Sequence, residues 1–208
     1  MFRKFLNPDN ALMITMTQIT DCIFLSLFWL IGCIPVVTIG TSFAAVYDAT
    51  YRGFRKGDKH CWSRFWQVYR DNWKAGILPT VIFLAAAFGL TRMLVGFWNA
   101  AVAGNLSWMV FSALAFAGIL LTGILSVLFP VLSRFENRFG ALVKNTVFLA
   151  MANLPRTLAL GFLNAMTVML CAFFVLPLFF LPSLAALIGS LFIEPMFKPY
   201  IPSEDAAE

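Results

Sequence analysis

Apolar residues run through this chain in long stretches that contain no charge: 22–47, 75–91, 93–133 and 157–193. A helix needs about 20 predominantly apolar residues to cross about 30 Å of hydrocarbon. The last two stretches are too long for one crossing each. The third holds a polar break over 99–105, Asn-Ala-Ala-Val-Ala-Gly-Asn, and the fourth holds Pro177 and Pro182 around four apolar residues, a tight-turn pattern. The pattern predicts an all-α fold, a polytopic membrane helix bundle with transmembrane helices at 17–38, 76–97, 107–132, 157–180 and 183–197. The chain reads as a single integral membrane domain over 1–208, with a polar acidic tail at 198–208.

Between the spans the period changes. Phe43, Val46, Tyr47, Thr50, Tyr51 and Phe54 recur at helical spacing with Asp48, Arg52 and Arg55 on the other side, which predicts an amphipathic helix over 41–56. Thr41 or Ser42 is placed to cap it, and Lys56-Gly57-Asp58 to end it. A second stripe follows, Trp62, Phe65, Trp66, Tyr69 and Trp73, opposite Arg64, Gln67, Asp71 and Lys74. Aromatic rings on one side and bases on the other suit a helix lying in the headgroup region. The same stripe also suits packing on the protein's own spans. Over 134–154, Phe135, Phe139, Leu142, Val143, Val147, Ala150 and Leu154 share a third such face.

Composition agrees. Hydrophobic residues make up 61% of the chain and charged ones 12%, against about 25% charged in an ordinary soluble domain. A soluble enzyme is excluded as the default reading. The bases concentrate at Arg52, Arg55, Lys56, Lys59, Arg64, Arg70 and Lys74 and again at Arg134, Arg138, Lys144 and Arg156, while 98–106 and 181–183 carry none. The positive-inside bias places both basic segments in the cytoplasm. Five spans then put the N-terminus outside and the acidic tail inside. Arg3 and Lys4 argue against that, and an extra crossing at 36–51 would bring the N-terminus inside. No cleavable signal peptide is expected.

The two halves share an order of features. Ile34-Pro35-Val36-Val37-Thr38 and Phe129-Pro130-Val131-Leu132-Ser133 each end a span, an amphipathic stretch follows each, and Asn72-Trp73-Lys74 and Asn153-Leu154-Pro155-Arg156 open the next apolar run. This predicts a parallel internal repeat with units 17–97 and 107–180.

The run Trp29-Leu30-Ile31-Gly32-Cys33-Ile34-Pro35-Val36-Val37-Thr38-Ile39-Gly40, with Phe43-Ala44-Ala45 behind it, resembles the opening motif of the YesL-like family of small bacterial membrane proteins. Phe65-Trp66, Asn72-Trp73-Lys74 and the stretch 129–135 are similar to that family's other recurrent segments. The family has no established function. The resemblance implies a bacterial inner or plasma membrane location and a genomic setting beside carbohydrate uptake and polysaccharide breakdown. It implies no catalytic or binding residues.

Chemistry is sparse. Pro35 and Gly40 break the helix, and broken backbone at membrane depth survives only inside protein or beside a watery cavity, so Thr38 and Gly40 are candidate site residues. Asp21 and Arg92 are the other polar candidates, as a pair inside the bundle, because an ionisable group costs about 2.5–3.5 kcal/mol at a helix centre. Glu194 lies near the inner end of the last span. The one histidine, His60, stands beside Cys61, and no Cys-x-x-Cys or paired-carboxylate set accompanies it, so no metal, cofactor or catalytic role is expected. Nucleic acid is not an expected partner, since the bases lie where topology demands them. Small residues at Ala113/Ala117 and Gly161/Ala165 have close-contact spacing. The expected partners are the lipid bilayer and a carbohydrate ABC-type permease, docked on Trp62, Phe65, Trp66, Tyr69, Trp73, Arg64 and Lys74. The expected role is a non-enzymatic accessory of carbohydrate uptake; the alternative is a small carrier or channel with its site at the Pro-broken helices.

Overall fold

The computed structural model describes residues 11–58, 60–104, 108–134, 139–174 and 176–200. Its helices are α1 (Ala11–Cys33), α2 (Ile39–Arg55), α3 (Cys61–Val102), α4 (Trp108–Arg134), α5 (Phe139–Ala152), α6 (Leu154–Phe173) and α7 (Leu181–Phe197), with 3-10 turns at Val36–Thr38 and Leu176–Phe179. Four segments are long and apolar enough to cross a membrane: Thr15–Cys33, Cys61–Val102, Trp108–Ser133 and Leu154–Phe173. The expected fifth span is the shorter apolar helix α7. The helical bundle predicted from the pattern is therefore what forms. Arg3, Lys4, Lys59, Asn105, Phe135, Arg138 and the acidic tail lie outside the described residues.

The first break falls where Pro35 predicts. Pro35 is extended (φ −77°, ψ 109°) and α1 stops at Cys33. Neither Thr41 nor Ser42 caps α2; both are buried within it, and the helix begins two residues earlier. Thr38 stands at the junction and its hydroxyl turns back, donating to Gly32 O (2.9 Å) and Pro35 O (2.7 Å). Pro130 behaves differently. It sits inside α4, which continues to Arg134. At the end of α2, Gly57 takes φ +73°, and the amides of Lys56 and Asp58 both donate to Arg52 O at 3.1 Å. Only glycine adopts that backbone without strain.

The expected interfacial helix at 61–74 and the expected span at 76–97 are one helix. At 42 residues, α3 is about 63 Å long at 1.5 Å per residue. Asn72 Nδ2 donates to Val68 O (3.0 Å) within it, and Asn153 Nδ2 donates to Leu149 O (3.2 Å) in the same i−4 fashion, but only Asn153 stands at a helix break.

Contacts fix the directions. Asp21 meets Trp62, Phe28 meets Phe65 and Trp66, and Gly32 faces Tyr69, so α1 runs parallel to the first half of α3. Thr41 lies at Gly76 and Gly53 at Cys61, so α2 runs back between them. Phe83 against Phe129, Gly118 against Leu90 and Trp98 against Trp108 make α3 and α4 antiparallel. Gly123 and Gly161 face each other's backbones, and Asn164 Nδ2 donates to Ser126 Oγ (3.0 Å), so α4 and α6 run parallel, with α5 reversed between them. The unit α1–α2–α3 is thus matched by α4–α5–α6 in the opposite sense, which corrects the expected parallel direction of the two units.

The orientation scheme changes with it. Phe180 and Leu184 border the same groove as Thr15, Ile19 and Phe54, so the turn at 176–180 lies at the end of the bundle that holds the start of α1 and the α2–α3 elbow. Loop charge with five crossings puts the 181–183 connection opposite the first basic segment and the N-terminal side of α1 opposite the elbow, whereas the alternative of an extra crossing at 36–51 brings that side to the elbow's end. Both differences have one cause. The reading treated 41–56 and 134–154 as helices lying on the surface, whereas α2 and α5 are packed among the long helices and each reverses the chain once more.

Candidate functional site

The most deeply buried helix is α2, from Gly40 to Thr50 on nearly all sides. Its small residues allow this. Ala44, Ala45 and Ala49 are fully buried and fill little volume, so neighbouring helices approach closely. Three hydroxyls lie directly over glycine Cα atoms there: Ser42 over Gly32, Thr80 over Gly40 and Thr41 over Gly76. Thr80 also donates to Gly76 O (2.6 Å) and Ser42 to Thr38 O (3.1 Å). Thr41 Oγ1 is buried with no hydrogen-bond partner, and the Gly76 Cα–H is its neighbour.

Below this seam lies a charged centre. Asp48 has no exposed surface, and its two oxygens are met by Arg64 Nε (2.7 Å) from the first turn of α3 and Arg52 Nε (3.3 Å) one turn along α2. A carboxylate taken out of water is tolerable only when paired in this way. Arg64 Nη1 reaches Gln67 Oε1 at 3.5 Å. On the other side of α2, Tyr47 OH donates to Glu194 Oε1 of α7 (2.8 Å), and its ring stacks on Tyr51. Side chains from three helices therefore converge on two adjacent residues of α2. The sequence reading put Asp48 on the solvated face. Its signal was available: an acid flanked by Ala44, Ala45 and Ala49 on a helix with small residues all round.

The anticipated site residues are distributed otherwise. Asp21 and Arg92 do not pair. Asp21 accepts from Trp62 Nε1 (2.9 Å), and Arg92 lies thirty residues further along the same helix, about 45 Å away, exposed and without an ion pair among the described residues. Thr38 is buried and both its bonds close the α1–α2 junction, while Gly40 faces the Phe129 ring and Thr80 rather than a cavity. Of the aromatic stripe, Phe65 is fully buried and Phe28 of α1 packs against Trp62, Phe65 and Trp66, with Tyr69 stacked on Phe65. Packing on the protein's own helices accounts for these. Trp62 and Trp73 keep 40% and 47% of their surface, and Lys74 is exposed. Arg64, expected on the outer face with Lys74, turns in to Asp48 instead.

On α5 the buried positions are Leu142, Thr146, Leu149 and Ala150, so Val147, expected inside, faces out. Ala113, Ala117 and Ala165 are likewise exposed; the close crossing uses Gly161 and the unforeseen Gly123. No cluster of metal ligands occurs among the described residues. The described cavities are small and greasy: one of about 130 Å³ between Val131, Phe148 and Phe197, and the groove of about 350 Å³ between α1 and α7.

A family model described as a protein of unknown function, DUF624, matches residues 22–92. Over those residues the chain is similar to the DUF624 family. The YesL-like resemblance is consistent with this, since that family is a DUF624 family. The DUF624-like segment runs from the second half of α1 through α2 and most of α3, and it contains Asp48, Arg52, Arg64 and the three hydroxyl–glycine contacts. No curated protein and no solved structure matches the chain.

Proposed function

We infer that this membrane protein is a non-enzymatic accessory of a carbohydrate uptake system in the bacterial cell membrane, seated against a permease through the outer face of α3. The observation that carries the reading is the division of labour along that helix. Its inner face, with Phe65 and Arg64, is consumed by α1 and α2, while Trp62, Arg70, Trp73 and Lys74 stay exposed beside it. Indole rings next to bases on a rigid helix suit a partner's interface. The buried polar groups hold helices together, which leaves the surface as the working part. The expected result of mild-detergent purification of the full chain is co-purification of a carbohydrate permease subunit, lost in the W73A/K74Q variant. Repeated recovery of no transporter subunit sinks the reading.

One observation favours the carrier alternative. Two three-helix units of opposite direction, one of them broken at Pro35, are the arrangement in which transporters build a site near the bilayer midplane. On that reading Asp48→Asn abolishes substrate flux in vesicles while the protein still folds. Unchanged flux removes it.

A further inference from the structure

We propose that Arg52, Arg55 and Arg64 form a binding site for a phosphate-type oxyanion at the elbow between α2 and α3. Asp48 draws two guanidinium groups together and meets each through its Nε. The Nη groups take no part in those two bonds. Among the described residues they make no further hydrogen bond except the 3.5 Å contact of Arg64 with Gln67. Both side chains reach the surface there, Arg52 with 35% and Arg64 with 27% of its area exposed. One carboxylate cannot neutralise two cations.

Arg55 adds a third. It stands three residues beyond Arg52 in the last turn of α2, exposed and without an ion pair among the described residues. Arg64 itself occupies the first turn of α3, where no acid is present and His60 supplies no side-chain cap. A helix N-terminus favours an anion and disfavours a cation. The nearby Asp58 is engaged, its Oδ1 accepting from the His60 amide (2.9 Å). Guanidinium edges held in place by a buried carboxylate are preorganised for a tetrahedral oxyanion, which they bind with paired N–H groups. Such an oxyanion comes either from a phospholipid headgroup or from free phosphate.

The test uses the full chain in detergent with two probes: inorganic phosphate, read by thermal stabilisation, and phosphatidylglycerol against phosphatidylcholine, read by native mass spectrometry. Arg52→Gln leaves the 2.7 Å Arg64–Asp48 pair in place, and Arg55→Gln breaks no described contact. Each is expected to weaken binding about tenfold, as loss of a charge-assisted bond does, with Lys144→Gln, at an exposed base of α5, unchanged. Phosphate binding without selective lipid retention identifies a soluble anion; retained phosphatidylglycerol that phosphate does not displace identifies a headgroup. The proposal is overturned if neither probe binds, if R52Q and R55Q bind as the parent does, or if K144Q loses as much.

Discussion

Arg64 Nε donates to Asp48 Oδ2 at 2.7 Å across sixteen residues of sequence, fastening the first turn of α3 to the middle of α2. The acid is wholly buried and the base partly exposed, so the two are not equivalent to mutate. Arg64→Ala leaves a buried carboxylate short of a partner and is expected to cost about 3 kcal/mol, the lower end for a broken buried pair. Asp48→Asn removes the charge that needs pairing and should cost less. Thermal unfolding in detergent should rank the parent, D48N and R64A in that order. An R64A protein as stable as the parent contradicts the pairing.

The crossing of α4 and α6 is backbone against backbone. A Cβ on Gly161 would strike Ile119 O, and one on Gly123 would strike Thr157 O. Gly161→Ala and Gly123→Ala are each expected to destabilise the chain by about 1–3 kcal/mol, as overpacking does. Gly89 has nothing within 4 Å of its would-be Cβ, so Gly89→Ala should be neutral or gain up to about 1 kcal/mol of helix propensity. Equal losses at all three sites would show that the crossing is not where the structure has it.

Thr41 and Gly76 make a reciprocal prediction. Gly76→Ala drives a methyl into Thr41 Oγ1, whereas Thr41→Ala removes a buried hydroxyl with no partner. The G76A loss should therefore shrink markedly in T41A/G76A, giving a coupling of about 1 kcal/mol in a double-mutant cycle. Additive losses would remove the contact.

Orientation is testable with single cysteines in a background lacking Cys22, Cys33, Cys61 and Cys171. His60→Cys and Phe179→Cys lie at one end of the bundle and Ala103→Cys at the other. A membrane-impermeant maleimide is expected to label positions 60 and 179 from the same face and 103 from the opposite one. Labelling of 179 together with 103 would restore the arrangement that loop charge alone implies.

Loop charge fails here for a traceable reason. The positive-inside bias counts crossings, and the count depends on whether an amphipathic segment is a surface element or a reversal. Phe43, Val46, Tyr47, Thr50 and Tyr51 fit either. Only the packing of Ala44, Ala45 and Ala49 at zero exposure shows that both faces of α2 are covered. The carboxylate of Asp48 was legible as an acid opposite an apolar stripe, and illegible as a buried one, because its partner Arg64 comes from the next helix. Likewise Asp21 and Arg92 looked like matching ends of neighbouring spans. A continuous α3 carries them far apart, and nothing local says that Pro79 leaves that helix unbroken while Pro35 ends α1.

By itself the sequence determined that this is a helical membrane protein, roughly where its apolar helices lie, though not that 61–74 and 76–97 are one helix, and that Pro35 breaks the first of them. Those properties are local: they follow from apolar run length, from side-chain period and from a residue that cannot donate a hydrogen bond. Tertiary structure alone decided the direction of the two units, the glycine crossings, the burial of Asp48 and its capture of two arginines. These depend on which faces of different helices meet, and a composition that is apolar on nearly every face leaves that choice to close packing and to a few buried polar pairs.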